Sequence, residues 1–139
     1  MTLATPPVTP PAPTPDMRGF GDYVGTRTIA IRPNWGLVEL DLDAWHLNGI
    51  PTVHGGVLLT LLDHACGAAL THGSDKALGR AAVTLSLNAS FVRGVTGGKI
   101  FGIGTCVKRG RSIAFCDAQV EDETGRLIAK ASGSFKMMK

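Results

Sequence analysis

An acid stands inside an apolar stretch in the middle of the chain. The stretch NGIPTVHGGVLLTLLDHACGAAL covers residues 48–70 and predicts an apolar helix from about Gly55 to Thr71. Asp63 is its carboxylate, and no Lys or Arg lies within one helical turn of it. A carboxylate in such surroundings can act as a nucleophile or a general base. The alternative is a structural acid that bonds the Thr60 hydroxyl or a loop amide.

Helical spacing places small residues beside this acid. Gly56, Thr60 and Gly67 share a face with Asp63, whereas larger apolar residues and alanines cover the rest of the helix. Small side chains leave space. We therefore expect a groove next to the carboxylate in which a substrate could lie.

The start of the same helix supplies a second chemical group. The sequence His54-Gly55-Gly56 places two residues without side chains at a helix N-terminus, where unpaired N–H groups can meet an oxygen that gains negative charge. Amide donors and a carboxylate together suit hydrolysis of an activated ester, because the donors polarise the carbonyl while the acid activates water or attacks. Taken alone, the glycines could simply form the turn into the helix.

The spacing of the two groups predicts an assembly. Gly55 and Asp63 are eight residues apart, which is about 12 Å along one helix. One reacting carbon is awkward to hold between two groups of a single helix at that distance. Two antiparallel copies of the helix bring them together more naturally, so we predict a homodimer with two sites at its interface.

The remaining segments predict the elements that position these groups. Six segments have the pattern of strands: RTIAIRP, GLVELDLDA, AVTLSLNASF, KIFGIGTCVKR, SIAFCDAQVED and RLIAKASGSFK. In AVTLSLNASF, the odd-numbered apolar residues from Val83 to Phe91 are expected on one face and Thr84, with the other polar residues, on the opposite face. The turns RGR and ETGR predict an antiparallel meander. The expected fold class is α+β, with an antiparallel sheet wrapped around one long central helix.

Composition indicates one globular domain preceded by a disordered Pro-rich tail. The chain has 139 residues, of which 44% are hydrophobic and 18% charged. Six of its eight prolines lie in the first 15 residues, so we predict a disordered Pro-rich tail over residues 1–16 and a folded domain over residues 17–139. No apolar run reaches the roughly 18 residues that a membrane span needs.

Charge and cysteine content restrict the partners. The net charge of +3 favours an anionic ligand such as a phosphorylated cofactor, but no basic run with interleaved aromatic residues indicates nucleic acid. The three cysteines show no CxxC spacing and follow no secretory leader, which predicts a cytoplasmic protein.

Other chemistries fit the sequence less well. The four histidines lack the HxxxH and HExxH spacings of metal sites, so no metal is expected, and His54 is expected to order the loop before the helix. His64 and Cys66 are two residues apart on a helix and do not face each other, which makes Cys66 a core residue rather than a nucleophile. The motif GxSxG is absent, and GIGTCVKRG lacks the third glycine of a dinucleotide loop.

These motifs in combination resemble a known family. The order Asn48, His54-Gly55-Gly56 and Asp63, followed by AVTLSLNASF and the hairpin KRGRSIAFCDAQVEDETGRLIAKASGSF, is similar to that of the hotdog-fold acyl-CoA thioesterases of the phenylacetate-pathway (PaaI-type) group. The resemblance covers about residues 18–137. It implies a homo-oligomer, a tetramer built from two dimers.

The resemblance also implies a role for each matching residue. The Gly55 N–H, after the motif residue His54, would bind the thioester carbonyl, and Asn48 would hold the thioester or the nucleophile. Asp63 of the partner subunit would be the nucleophile or general base. Thr84 would orient the attacking water.

Coenzyme A would enter as part of the substrate, with no metal or other cofactor. The groove for it would be formed by the following residues: Gly56, Arg93, Lys108, Arg109, Gly110, Arg111 and Ser112. The alternative for the four basic members of this set is an ordinary solvated surface.

The implied function is hydrolysis of an aryl- or medium-chain acyl-CoA to the free acid and coenzyme A. Two alternatives stay open. A non-catalytic acyl-CoA binding module would be expected to lose the acid or the strand hydroxyl, whereas a hotdog dehydratase or hydratase would need a catalytic histidine in a different motif.

Overall fold

The computed structural model describes residues 9–72 and 82–138. Within these residues the chain forms two α-helices, one 3-10 turn and six strands. Their bounds are α1 Phe20–Val24, β1 Arg27–Arg32, β2 Trp35–Asp41, the 3-10 turn Ala44–His46, α2 Gly55–Ala69, β3 Ala82–Phe91, β4 Lys99–Arg109, β5 Ile113–Asp122 and β6 Leu127–Met137. The six predicted strands and the predicted long helix are confirmed, with small differences at their ends.

The sheet is antiparallel throughout, in the order β1-β2-β4-β5-β6-β3. Helix α2 packs against all six strands, so the sheet wraps the helix as the sequence predicts. This α+β arrangement is the one expected of a hotdog fold. Strands β1 and β3 lie at the two edges of this sheet.

Close contact between α2 and β4 fixes the helix on the sheet. A side chain at Gly104 would collide with the backbone carbonyl of Ala65, and one at Gly102 would come within 2.8 Å of Val38 and 3.1 Å of Leu61. Glycine at these positions lets the helix backbone approach the strand. The apolar side of α2 is then fully buried against the sheet, which leaves its opposite side free to carry polar residues.

Strand β3 departs from the predicted alternation of side chains. Thr84 pairs with Phe135 and Ser86 pairs with Ser134, so the register shifts and Leu85 has no partner. One extra residue in a strand reverses which side chains face inward. Thr84 therefore lies on the same face as buried Phe135, and the prediction that it points away from the apolar face was wrong.

The segment before α1 has no regular structure where it is described. Residues 9–16 are exposed and form neither helix nor strand, and residues 1–8 lie outside the described part of the chain. The disordered tail and the domain boundary at residue 17 stay predictions. No helix in the described ranges is long and apolar enough to cross a membrane.

Candidate active site

Asp63 is held by a hydroxyl from the neighbouring strand. It lies half-buried on the side of α2 that does not face the sheet core, and Thr84 Oγ1 donates a 2.6 Å hydrogen bond to its Oδ1. The Thr60 hydroxyl donates instead to the carbonyl of Gly56 at 2.8 Å. Among the described residues, Asp63 Oδ2 accepts no hydrogen bond. One carboxylate oxygen is thus oriented while the other is available.

A groove opens beside this carboxylate. Its volume is about 480 Å³, and Thr60, Asp63 and Gly67 of α2 line it together, as their helical spacing predicts. Thr84 of β3 and Phe20 of α1 also line it. The acid and the hydroxyl therefore border a space large enough for part of a substrate.

His54 caps the start of α2. Its Nδ1 accepts a 2.8 Å hydrogen bond from the Gly56 N–H, so the neutral ring carries its proton on Nε2. Of the two amides expected to be unpaired, the Gly56 N–H is therefore occupied. The Gly55 N–H meets no acceptor among the described residues, so a single free donor remains at the positive end of the helix.

The loop before α2 carries Asn48 to the same end of the helix. Its backbone N–H bonds the carbonyl of Thr52 at 2.8 Å, and its side-chain amide lies 3.5 Å from the carbonyl of Val53. The neighbouring amide of Val53 bonds the carbonyl of Val95 at 2.9 Å, which ties this loop to the one that follows β3. The exposed side chain of Asn48 is only weakly held, so its amide is available to a ligand.

The two chemical groups lie at opposite ends of β3 within one chain. Thr84 near the start of β3 contacts Asp63, whereas the Phe91 ring at its end packs on Gly55, 3.4 Å from where a Cβ would stand. The structure therefore brings Asp63 together with Thr84 and the groove. It does not bring Asp63 together with Gly55 in a single chain.

The basic residues expected to hold coenzyme A form two separate groups. Arg93 lies just beyond Phe91, at the Gly55 end, where its backbone N–H bonds the carbonyl of Ile128. The turn at residues 108–112 lies at the other end of the sheet, held by a 2.9 Å bond from the Gly110 N–H to the carbonyl of Ile113.

The side chains of that turn differ in whether a hydrogen bond holds them. Arg109 donates to Asn34 Oδ1 at 3.2 and 3.4 Å. Lys108, Arg111 and Ser112 are exposed. Lys108 and Arg111, which form no ion pair with any residue that the structure describes, can meet a phosphate. One chain does not place them beside Arg93.

Two of the histidines have structural partners. His46 is buried, with Nε2 2.7 Å from the carbonyl of Val24. His64 lies between two hydroxyls, with Nδ1 2.9 Å from Thr26 and Nε2 2.9 Å from Thr28. Burial lowers the pKa of His64, although the nearby charges of Asp63 and Asp22 oppose this.

The Cys66 thiol is unsuited to nucleophilic chemistry. A hydrogen bond with Cys116, together with burial, raises the pKa of the Cys66 thiol. In the described ranges, no three His, Cys, Asp or Glu side chains are placed to hold a metal ion.

One part of the site was missed from the sequence. Helix α1, with Phe20 between Gly19 and Gly21, forms a wall of the groove. The only signal in the sequence was an aromatic residue flanked by glycines shortly before the first strand, which does not by itself indicate a binding surface.

Comparison with known proteins adds independent information. The model of the thioesterase superfamily matches residues 51–129. The chain is 29% identical over 116 residues to human acyl-coenzyme A thioesterase 13, covering 81% of each protein. It is 33% identical over 102 residues to PA0474 of Pseudomonas aeruginosa, which is named as an esterase, covering 73% of this chain and 74% of that one.

Solved structures agree with the fold. A mutant form of the phenylacetic acid degradation protein PaaI from Thermus thermophilus aligns with a TM-score of 0.74 and 25% identity, covering 85% of this chain and 97% of that one. The conserved protein PA5202 from Pseudomonas aeruginosa aligns with a TM-score of 0.79 and 25% identity, covering 88% and 95%.

Proposed function

Because the chain belongs to the thioesterase superfamily, as a thioester hydrolase with the hotdog fold of the PaaI type, we propose that it cleaves an aryl- or medium-chain acyl-CoA to the free acid and coenzyme A. The observation that carries this proposal is the hydrogen bond from Thr84 to Asp63 at the edge of an open groove. It gives an oriented carboxylate next to space for an acyl group.

Asp63 performs the central step in this proposal. With Oδ1 held by Thr84, the free Oδ2 either takes a proton from the attacking water or attacks the thioester carbon itself. In the first route the C–S bond breaks as the tetrahedral intermediate collapses, and the proton taken from water passes to the sulfur. In the second route the C–S bond breaks as a mixed anhydride with Asp63 forms, and the thiolate takes a proton from solvent. Water then hydrolyses the anhydride, which releases the free acid and regenerates the carboxylate. The Gly55 N–H stabilises the negative charge that develops on the carbonyl oxygen, and Asn48 holds the thioester from the loop beside it.

A second copy of the chain completes this site. Within the described residues β3 bonds only to β6, and its exposed apolar side chains include Val83 and Phe91, which are 49% and 54% exposed. Antiparallel pairing of two β3 edges about a two-fold axis sets the start of one strand against the end of the other. Asp63 and Thr84 of one copy then approach Gly55 of the second.

The same pairing brings the two basic groups close together. Arg93 follows the end of β3, and the turn at residues 108–112 lies near its start. A two-fold axis at the β3 edge brings Arg93 of one copy toward the turn of the other. We accordingly propose that both copies contribute cations to the coenzyme A phosphates. The His54 ring, 2.9 Å from where a Gly56 Cβ would stand, occupies the space beside Gly56.

We also propose three wider properties of the protein. They are a cytoplasmic location, a tetramer of two dimers, and a reaction that needs neither metal nor nucleic acid. The dehydratase alternative is disfavoured by the histidines, because His54 caps α2 through Nδ1 and both nitrogens of His64 are bound to threonine hydroxyls.

Thiol release from a panel of acyl-CoA esters tests the function. The purified protein is assayed with acetyl-, butyryl-, octanoyl-, benzoyl- and phenylacetyl-CoA while free thiol is detected by colour. We expect release, with the highest kcat/KM for the octanoyl or aryl esters. Tight binding of these esters without release would favour a binding module, and the highest kcat/KM for acetyl-CoA would refute the proposed substrate class.

A further inference from the structure

Helix α1 lines the groove that holds the proposed catalytic acid. Phe20 is 69% exposed and is one of the lining residues, although a large aromatic side chain would ordinarily be packed. Phe135 and Ala82 from the sheet also line the groove. The surface next to the carboxylate is thus largely apolar and includes an accessible aromatic ring.

Hydrogen bonds that involve His64 and His46 hold helix α1 in place. The Thr26 hydroxyl donates to the carbonyl of Gly21 in α1 at 3.2 Å, and the same oxygen lies 2.9 Å from Nδ1 of His64 in α2. At the end of α1, the carbonyl of Val24 is 2.7 Å from Nε2 of His46. Helix α1 is therefore tied to α2 and to the 3-10 turn, so the groove has a defined width.

Gly67 of α2 also lines the groove. It lies one helical turn beyond Asp63, and a Cβ built there meets no heavy atom within 4 Å among the described residues. Glycine inside a helix costs about 1 kcal/mol relative to alanine. Packing in the described part of the chain does not require this glycine, and its missing side chain deepens the groove.

We propose that this groove is the acyl subsite and that Phe20 and Gly67 determine which acyl groups it accepts. The inference rests on the proposed function, since the reacting carbon must lie next to Asp63. The acyl group then extends between α1 and α2, where Phe20 packs against an aromatic ring or an alkyl chain of medium length. The coenzyme A portion of the substrate extends out of the groove, because Arg93 and the turn at residues 108–112 are not among the residues that line the groove.

Graded substitutions test this assignment. Gly67→Ala and Gly67→Leu fill open space, and Leu is a good helix former, so both proteins should fold. Gly67→Leu should lower kcat/KM for octanoyl- and phenylacetyl-CoA by about tenfold or more relative to acetyl-CoA, with Gly67→Ala intermediate. Phe20→Leu should lower kcat/KM for phenylacetyl-CoA more than kcat/KM for octanoyl-CoA.

Gly97→Leu is the matched control. Gly97 also has no heavy atom within 4 Å of a built Cβ, but it lies in the loop before β4, outside the groove. This variant should keep the selectivity of the unmodified protein. Thermal unfolding and solution mass of all variants separate a change of selectivity from loss of fold or assembly.

Binding of non-hydrolysable thioethers separates this inference from the proposed reaction. S-octyl-CoA should bind the unmodified protein more tightly than S-ethyl-CoA, and Gly67→Leu should remove that advantage even if no ester is hydrolysed. An equal loss for all acyl groups, or unchanged selectivity in Gly67→Leu and Phe20→Leu, would overturn the acyl subsite. Failure of thiol release with the binding advantage intact would overturn only the reaction.

Discussion

The hydroxyl of Thr84 donates a 2.6 Å hydrogen bond to Oδ1 of Asp63 because β3 shifts its register between Thr84 and Ser86. Without the unpaired Leu85, regular alternation would turn Thr84 to the outer side of the sheet. The irregularity thus aims a polar side chain at the acid. Bulges next to active sites commonly serve this purpose.

Thr84→Val tests the contribution of this hydrogen bond. Valine keeps the shape of threonine and removes the donor, so Asp63 loses the group that orients it. We expect kcat to fall on the order of a hundredfold with little change in the thermal midpoint. Thr84→Ser, which keeps the hydroxyl, is the control and should stay close to the unmodified protein. Equal kcat values for the two variants would show that the hydroxyl has no role in turnover.

Gly55→Pro removes a single N–H at a position that tolerates proline. Gly55 is the first residue of α2, and His54 before it has φ −62° and ψ 134°, a conformation that proline accepts in its predecessor. We expect kcat/KM to fall roughly a hundredfold to a thousandfold, because the proposed donor to the carbonyl oxygen is lost.

Gly55→Ala provides the comparison, since it keeps the N–H and its Cβ would meet the Phe91 ring at an ordinary 3.4 Å. Thermal unfolding should show both variants folded. If Gly55→Pro retained full kcat/KM, the Gly55 amide would not be the donor.

Mixed dimers test whether two copies share each site. A dimer with Asp63→Asn in one chain and Gly55→Pro in the other contains one site with both native groups and one site with neither. Isolated through two different affinity tags, it should recover roughly half of the unmodified activity, although each parent is nearly inactive. A mixed dimer no more active than its parents would contradict a site built from two chains.

The six strands and the long helix could be predicted from the sequence because their residue patterns are local. Alternation and turn residues located the six strands. The predicted turn ETGR, for example, lies between β5 and β6, and its Gly125 has a φ of 84° that favours glycine. Helical spacing correctly placed Thr60 and Gly67 beside Asp63.

Features that depend on tertiary pairing could not be predicted from the sequence. The register shift at Leu85 is set by where β3 meets β6, so strict alternation assigned Thr84 to the wrong face. The glycine pair predicted two free amides, but the His54 ring turns back to bind the Gly56 N–H. The role of Phe20 in the groove arises from the packing of α1 and has no periodic signature.

His64 should make stability depend on pH. Burial lowers its pKa in the folded protein, with Asp63 and Asp22 opposing, whereas the unfolded side chain titrates near its ordinary value of about 6.5. As the pH falls below that value, the unfolded chain binds a proton that the folded protein resists, so stability decreases.

His64→Gln removes this titration. The free energy of unfolding, measured by urea denaturation at pH 7.5 and at pH 5.5, should differ less between the two pH values in the variant than in the unmodified protein. The other three histidines are common to both proteins and cancel in the comparison. An equal pH dependence in both would contradict the lowered pKa of His64.

Asp63→Asn removes the carboxylate on which the proposed reaction depends. Asparagine nearly preserves the shape of the side chain and can still accept the hydrogen bond from Thr84, but it cannot act as a base or a carboxylate nucleophile. Thiol release across the acyl-CoA panel should fall on the order of a thousandfold, with the fold and coenzyme A affinity nearly unchanged. Release at close to the unmodified rate would show that Asp63 does not carry the reaction.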